Sequence, residues 1–158
     1  MKLHIITVGH KPPDWITSGF QDYARRMPRE FPLLLVEIRP ARREGTSLAQ
    51  IARARSTERE RMLAAIPANG VKVALDERGK AMSTVQLAHK LESWMQNGKD
   101  VCFLIGGADG LDDEFKNGAD LVISLSMMTL PHALVRVVLA EQIYRAMSII
   151  RKHPYHRH

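Results

Sequence analysis

The sequence predicts an α/β fold, a mostly parallel sheet with helices on both faces. Three observations carry this. Apolar runs of strand length alternate with longer segments of helical period; Pro, Gly or a capping residue stands at most boundaries; and the strands carry continuous apolar runs, as strands covered on both sides do. No repeat, low-complexity tract or linker interrupts the 158 residues, so residues 1–158 are expected to form one domain.

The first strand is expected at residues 3–8, ended by Gly9 and Pro12-Pro13. Asp14 then offers an N-cap for a helix whose apolar stripe is Ile16, Phe20, Tyr23, Ala24 and Met27, with Pro28 as its stop. A second strand, 33–38, ends at Pro40. Beyond a polar loop at 41–46, a helix over 47–66 places Leu48, Ile51, Ala52, Met62 and Leu63 on one side. Arg53, Arg55, Glu58, Arg59, Glu60 and Arg61 fall on the others, read either as a solvated face or as a patch that meets RNA.

A third strand, 71–75, opens into the loop Asp76-Glu77-Arg78-Gly79-Lys80. Ser83 is placed to cap a helix with Leu87, Leu91, Trp94 and Met95 inward and Gly98 closing it. The fourth strand, 101–105, leads to Gly106-Gly107-Ala108-Asp109-Gly110 and a short helix near 111–117. The fifth, 121–125, leads to Ser126-Met127-Met128-Thr129-Leu130-Pro131-His132, and a long helix over about 133–150 precedes the tail His153-Pro154-Tyr155-His156-Arg157-His158.

Composition bounds the function. A net charge of +6 favours a polyanionic partner without naming one. The single cysteine, Cys102, excludes an internal disulfide and reads as a small core hydrophobe in the run Val101-Cys102-Phe103-Leu104-Ile105. No signal peptide or membrane span is evident, so a cytoplasmic protein is expected.

Ligands of open parallel sheets bind beyond the carboxyl ends of the strands. Three loops leave such ends here, after Leu75, Ile105 and Leu125. Gly106-Gly107 taken alone favours a tight turn over a ligand contact, and neither GxxxxGK[ST] nor a first-unit GxGxxG is present. The last helix is apolar around most of its circumference, with Glu141, Arg145 and Ser148 as its one polar stripe, so a second copy of the chain is expected to cover it. Arg136, in its first turn, opposes the helix dipole and awaits either a carboxylate or an anionic ligand.

Over its whole length the chain resembles the SPOUT-class ribosomal RNA large-subunit methyltransferase H family of bacteria. The resemblance is carried by Met1-Lys2-Leu3 through Val8-Gly9, Leu104-Ile105-Gly106-Gly107 with Gly110-Leu111, and Leu125-Ser126 with Thr129-Leu130-Pro131-His132. Arg136 through Gln142, Tyr144-Arg145-Ala146 and His153-Pro154-Tyr155-His156 complete it. It implies a C-terminal trefoil knot, a homodimer, and transfer of a methyl group from S-adenosylmethionine to N3 of a pseudouridine in 23S ribosomal RNA on the assembled ribosome.

The implied cofactor contacts are Leu75, Gly106, Gly107, Leu125, Ser126, Met127, Met128, Thr129 and Leu130; the family varies at Met127-Met128, which implies contact through backbone. Tyr155, His156 and Arg157 are candidates for catalysis, and Arg136 and His132 for RNA contact. No metal is expected, because His153, His156 and His158 on a Pro-containing tail make a poor closed site. Competing readings are a frayed basic terminus for the tail, and for the protein an RNA-binding factor with a vestigial pocket or a nucleotide-binding switch.

Overall fold

A computed structural model describes residues 1–9 and 11–157. In chain order the elements are β1 (Leu3–Val8), α1 (Asp14–Arg26), β2 (Leu33–Ile38), α2 (Leu48–Ala65) and β3 (Val71–Ala81), followed by α3 (Thr84–Gln96), β4 (Val101–Ile105), α4 (Asp113–Asn117), β5 (Leu121–Ser124) and α5 (His132–Ile150). The strands form one sheet in the order β2-β1-β4-β3-β5, with every neighbouring pair parallel. All five therefore point their carboxyl ends the same way, and the loops that follow them gather along one edge.

Helices cover both faces, as the alternating pattern requires. On one face Phe20 of α1 with Met27 just after it, Leu87 and Leu91 of α3, and Leu139, Ile143 and Met147 of α5 pack with Leu3, Ile5, Val73, Phe103 and Ile105 of the sheet. On the other, Met62 of α2 and Phe115 of α4 pack with Ile6, Val8, Ala74, Cys102 and Leu104. The two clusters take alternate residues of the same strands, the period of two that a pleated strand imposes. Cys102 is 0% exposed, and burial pushes its thiol up to about 11, so it stays an uncharged core group.

Helix starts follow local chemistry. Ser47 and Ser83 each cap a helix and close a capping box with Gln50 and Gln86. At α1 the cap is Pro13, whose extended backbone bends the chain into the helix; Asp14 instead occupies the first turn, where its charge favours the helix dipole.

Two further expectations are corrected. Strand β3 does not stop at Leu75. It bows outward over residues 76–79 and rejoins β5, so that both Leu75 and Lys80 register with Ile123. The return requires glycine, because a Cβ on Gly79 would lie 2.5 Å from the carbonyl carbon of Ile123. In α2 the buried residues are Ala54, Glu58 and Met62, while Leu48 is 87% and Leu63 45% exposed. Arginines of α2 that reach across to the segment after β4 hold the helix in that rotation.

Among the described residues no helix is long and apolar enough to cross a membrane.

Candidate active site

The loops after β3, β4 and β5 meet in one cleft of about 380 Å³ at the carboxyl edge of the sheet. Leu75 and the outward bow of β3 form one wall. Gly106, Gly107 and Gly110 after β4 form the second, and Leu125, Ser126, Met128, Thr129 and Leu130 after β5 form the third. His132 and Val135 at the start of α5 complete it. The volume lies in the range of sites that enclose a small molecule, and three of the lining residues are glycines.

Each wall is fixed by identifiable bonds. Leaving β4, the chain turns through a bond from the Gly110 N–H to the Gly107 carbonyl (3.0 Å). Gly106 has no room for a side chain: its Cβ would overlap the carbonyl carbon of Gly110 and lie 2.6 Å from the Leu111 nitrogen. In the third loop the Ser124 hydroxyl donates to the Ser126 carbonyl (2.8 Å), and the Ser126 hydroxyl accepts from the Met128 N–H (2.9 Å). The Thr129 hydroxyl donates to Glu77 (2.7 Å), tying the third wall to the first.

Arginines of the β2–α2 segment clamp the second wall, Arg55 from within the cleft lining. Arg43 meets the Asp109 carboxylate at 2.8 and 3.0 Å. Arg55 donates to the Leu111 carbonyl at 2.5 Å. Arg59 bonds Asp112 at 2.9 Å and Glu114 at 2.5 Å, and Asp112 in turn caps α4 through the Phe115 N–H. The run read as a solvated or RNA-facing surface is therefore partly structural. Arg55 and Arg59 lie one helical turn apart, opposite the acidic stretch Asp112-Asp113-Glu114, which is the sequence signal that could have located this clamp. Glu58, between them, is buried; burial raises its carboxyl above the usual range, with the Asp109 charge adding to that effect against a bond from the Ala41 N–H.

Across the cleft, the Lys116 ammonium sits 2.8 Å from Asp76. Burial alone would raise the Asp76 carboxyl, but the bond to Lys116, the Arg78 N–H and the charges of both residues outweigh it and hold the group below its ordinary value. This pair stabilises the fold above the unfolded-state value of about 3.8 and loses that contribution as pH falls through the lower folded-state value. In Lys116→Met the bond and charge of Lys116 are lost, the Asp76 carboxyl is held down less, and the fall in Tm below pH 4 is expected to be shallower than in the parent. Thermal melts between pH 5 and pH 2.5 check this; parallel curves for the two proteins contradict it.

The remaining candidates divide clearly. Met127 is 97% exposed and does not line the cleft. Arg136 is 1% exposed and bonds Glu37 at 3.3 Å, so of the two alternatives the sequence left open the structure supplies the carboxylate. It ties α5 to β2 and presents no surface to RNA. Tyr155, His156 and Arg157 do not line the cleft of their own chain either. Tyr155 packs edge-on against Tyr144 (4.7 Å between centroids), bonds Glu141 at 3.1 Å and covers Arg145 at 4.8 Å, while the Nδ1 of His156 is 3.5 Å from Arg145. Arg145 is held by Glu141 at 2.6 Å, the pair expected from their spacing. Burial, bonding with Tyr23 and the Glu141 charge push the Tyr155 phenol up to about 12, so at neutral pH it is a hydrogen-bond donor and not a base. Among the described residues no cluster has metal-binding geometry; His158 lies outside them.

Comparison with known proteins agrees with this layout. The family described as "Predicted SPOUT methyltransferase" matches residues 1–156. Proteins named ribosomal RNA large subunit methyltransferase H from Paraburkholderia phymatum and Paraburkholderia xenovorans are 55% and 57% identical over 157 residues, 99% of each chain. One from Janthinobacterium is 55% identical over the same extent. A probable methylase family protein of Haemophilus influenzae superposes with a TM-score of 0.56 at 9% identity, over 99% of this chain and 70% of that one. A putative methylase family protein of Neisseria gonorrhoeae does so at 0.56 and 15%, over 90% and 81%. These likenesses extend the α/β architecture to solved structures. The chain belongs to the SPOUT methyltransferase family and, within it, to the ribosomal RNA large subunit methyltransferase H group.

Proposed function

We propose that the protein transfers a methyl group from S-adenosylmethionine to N3 of a pseudouridine in large-subunit ribosomal RNA, working in the cytoplasm as a homodimer on the assembled ribosome. The observation that carries the reading is the convergence of the three strand-end loops on a single cleft. The relatives' shared name supplies the substrate class.

The lining suits the cofactor. S-adenosylmethionine combines a flat apolar ring with a carboxylate, an ammonium and a sulfonium. The cleft offers apolar walls at Leu75, Ile105, Leu125 and Leu130, and side chains of both signs, with Asp76, Glu77 and Asp109 against Arg55, Arg78 and Lys116. The backbone of residues 106–107 and 125–130 would hold the ring and sugar, Met127 contributing only its main chain. When bound, the cofactor supplies an electrophilic methyl group on a positively charged sulfur. The trefoil knot that the resemblance implies belongs to the same reading.

The chain's own residues do the rest. Holding donor and acceptor on one line is worth roughly 7–11 kcal/mol in well-oriented reactions. The N3 nitrogen carries a proton whose loss improves the nucleophile, and a placed base adds about 10²–10⁴-fold. His156 is the proposed acceptor of that proton, Tyr155 a hydrogen-bonding and stacking partner of the base, and Arg157 a contact for phosphate or for the developing anion. His132, in the cleft mouth, is the proposed contact to the nucleotide.

In its own chain Tyr155 is docked at Glu141, about 9 Å along the α5 axis from Val135 in the cleft wall. A tail that serves chemistry would therefore complete the cleft of a second copy. The homodimer is supported by α5, where Leu134, Val135, Val137, Val138, Ile149 and Ile150 remain only half-buried. Sedimentation at micromolar concentration should give a dimer; a strict monomer removes this part.

The deciding experiment incubates the protein and labelled S-adenosylmethionine with ribosomes from cells lacking it, followed by mass-mapping of the large-subunit RNA. A new methyl group on a pseudouridine is expected. Absence of transfer together with absence of cofactor binding by calorimetry would leave an RNA-binding factor with a vestigial pocket.

A further inference from the structure

The arginines of the β2–α2 segment fall into two sets. Arg43, Arg55 and Arg59 are committed to the loop after β4. Arg42, Arg53 and Arg61 are not: among the described residues none of them takes part in an ion pair. Arg61 donates to the Arg39 carbonyl at 2.7 Å, a neutral acceptor that orients the guanidinium, and its charge acts on the buried Glu58 carboxyl without a direct ion pair. These three side chains wall a separate groove of about 260 Å³ between the loop at residues 41–44 and the outer face of α2. Thr57 and Gln50 add hydrogen-bonding groups, and Glu44 is the one carboxylate in the lining.

We propose that this groove seats a phosphodiester segment of the RNA substrate. The proposal rests on the methyl-transfer reading above and extends it to how the RNA is held. Three guanidiniums against one carboxylate in the lining, Arg42 and Arg53 with no ion pair and Arg61 shared in part with Glu58 behind it, give the groove a positive field, and planar guanidiniums match phosphate oxygens with paired donors. The location fits the same partner. Arg42 is the chain neighbour of Arg43, which grips Asp109 on the rim of the cleft, so the loop at residues 41–44 borders both the groove and the cleft rim. A strand lying in the groove would run beside the cleft mouth and deliver a splayed base to it.

The test measures binding of the full-length protein to a protein-free transcript of large-subunit RNA as potassium chloride is raised. Each phosphate that is no longer neutralised takes roughly 0.7–0.9 from the slope of log K against log salt. Arg42→Gln with Arg53→Gln is expected to reduce the slope by about 1.4–1.8 on that scale. Lys90→Gln with Lys99→Gln removes the same charge from exposed positions on α3 and before β4, and is expected to leave the slope alone. An equal drop for both pairs means that net charge alone acts and overturns the groove, as does an unchanged slope for the arginine pair. Loss of binding to whole ribosomes with transcript binding intact assigns the groove to an acidic protein surface and overturns the RNA assignment. A parent protein that neither binds the transcript nor methylates ribosomes sinks the functional reading itself, a result distinct from failure of the groove alone.

Discussion

Gly106→Ala is expected to lose S-adenosylmethionine binding and to destabilise the protein by about 3 kcal/mol, near the upper end for forcing an extra carbon into packed structure. The added Cβ would meet main-chain atoms on the far side of the turn, the carbonyl carbon of Gly110 and the nitrogen of Leu111 at 2.6 Å. Backbone cannot rotate away as a side chain can. The segment must open, and with it the second wall of the cleft and the clamp from Arg55 onto the Leu111 carbonyl. Gly107→Ala is the control one residue on: its nearest obstacle is the Val8 side chain at 3.0 Å, which has some freedom to yield. Calorimetry and thermal melts of the two variants should separate widely. Equal stability and intact cofactor uptake in both would show that this turn does not shape the cleft.

His156→Ala and Tyr155→Phe are expected to slow methyl transfer to ribosomes by about 10²-fold or more, the usual range for removing a proton acceptor or its positioning partner. Cofactor affinity should stay the same, because neither residue lines the cleft of its own chain. The Tyr155 phenol, pushed up to about 12, stays protonated over the working range, so its removal should shift no pH optimum. The tail's contribution across the dimer can be read by mixing two inactive chains. One carries His156→Ala; the other carries Leu130→Lys, which places a cation in the wall facing a positively charged donor. If the tail of one chain serves the cleft of the other, mixed dimers contain one intact site and recover about a quarter of parental activity for random pairing. No recovery would confine the tail to its own subunit or remove it from the chemistry.

The strands and the three loops were legible because apolar runs, proline and glycine are local signals. Strand β4 begins and ends where its apolar run does, and Ser47 and Ser83 cap the helices their spacing marks. The bow in β3 was not legible. Asp76-Glu77-Arg78-Gly79-Lys80 has the composition of a loop, and only the approach of β5 to Gly79 returns the segment to the sheet. The rotation of α2 was missed for a related reason: its inward face includes Glu58, and hydrophobic periodicity cannot register a carboxylate turned inward beside long-range arginine bonds. At the site, the location of the cleft followed from strand ends alone. The Asp76–Lys116 pair joins residues 40 positions apart, and the partner of Arg136 lies 99 positions away, so neither could be paired from spacing.

The strand order also sets the fate of the molecule's one sulfhydryl. Cys102 lies on β4, with β1 hydrogen-bonded on one side and β3 on the other, in a protein proposed to handle an alkylating reagent throughout its working life. Sealed there in its protonated form, the sulfur is shielded from self-methylation by the chain's own ligand. Reaching it from bulk solvent means lifting α2 and α4 off that face of the sheet.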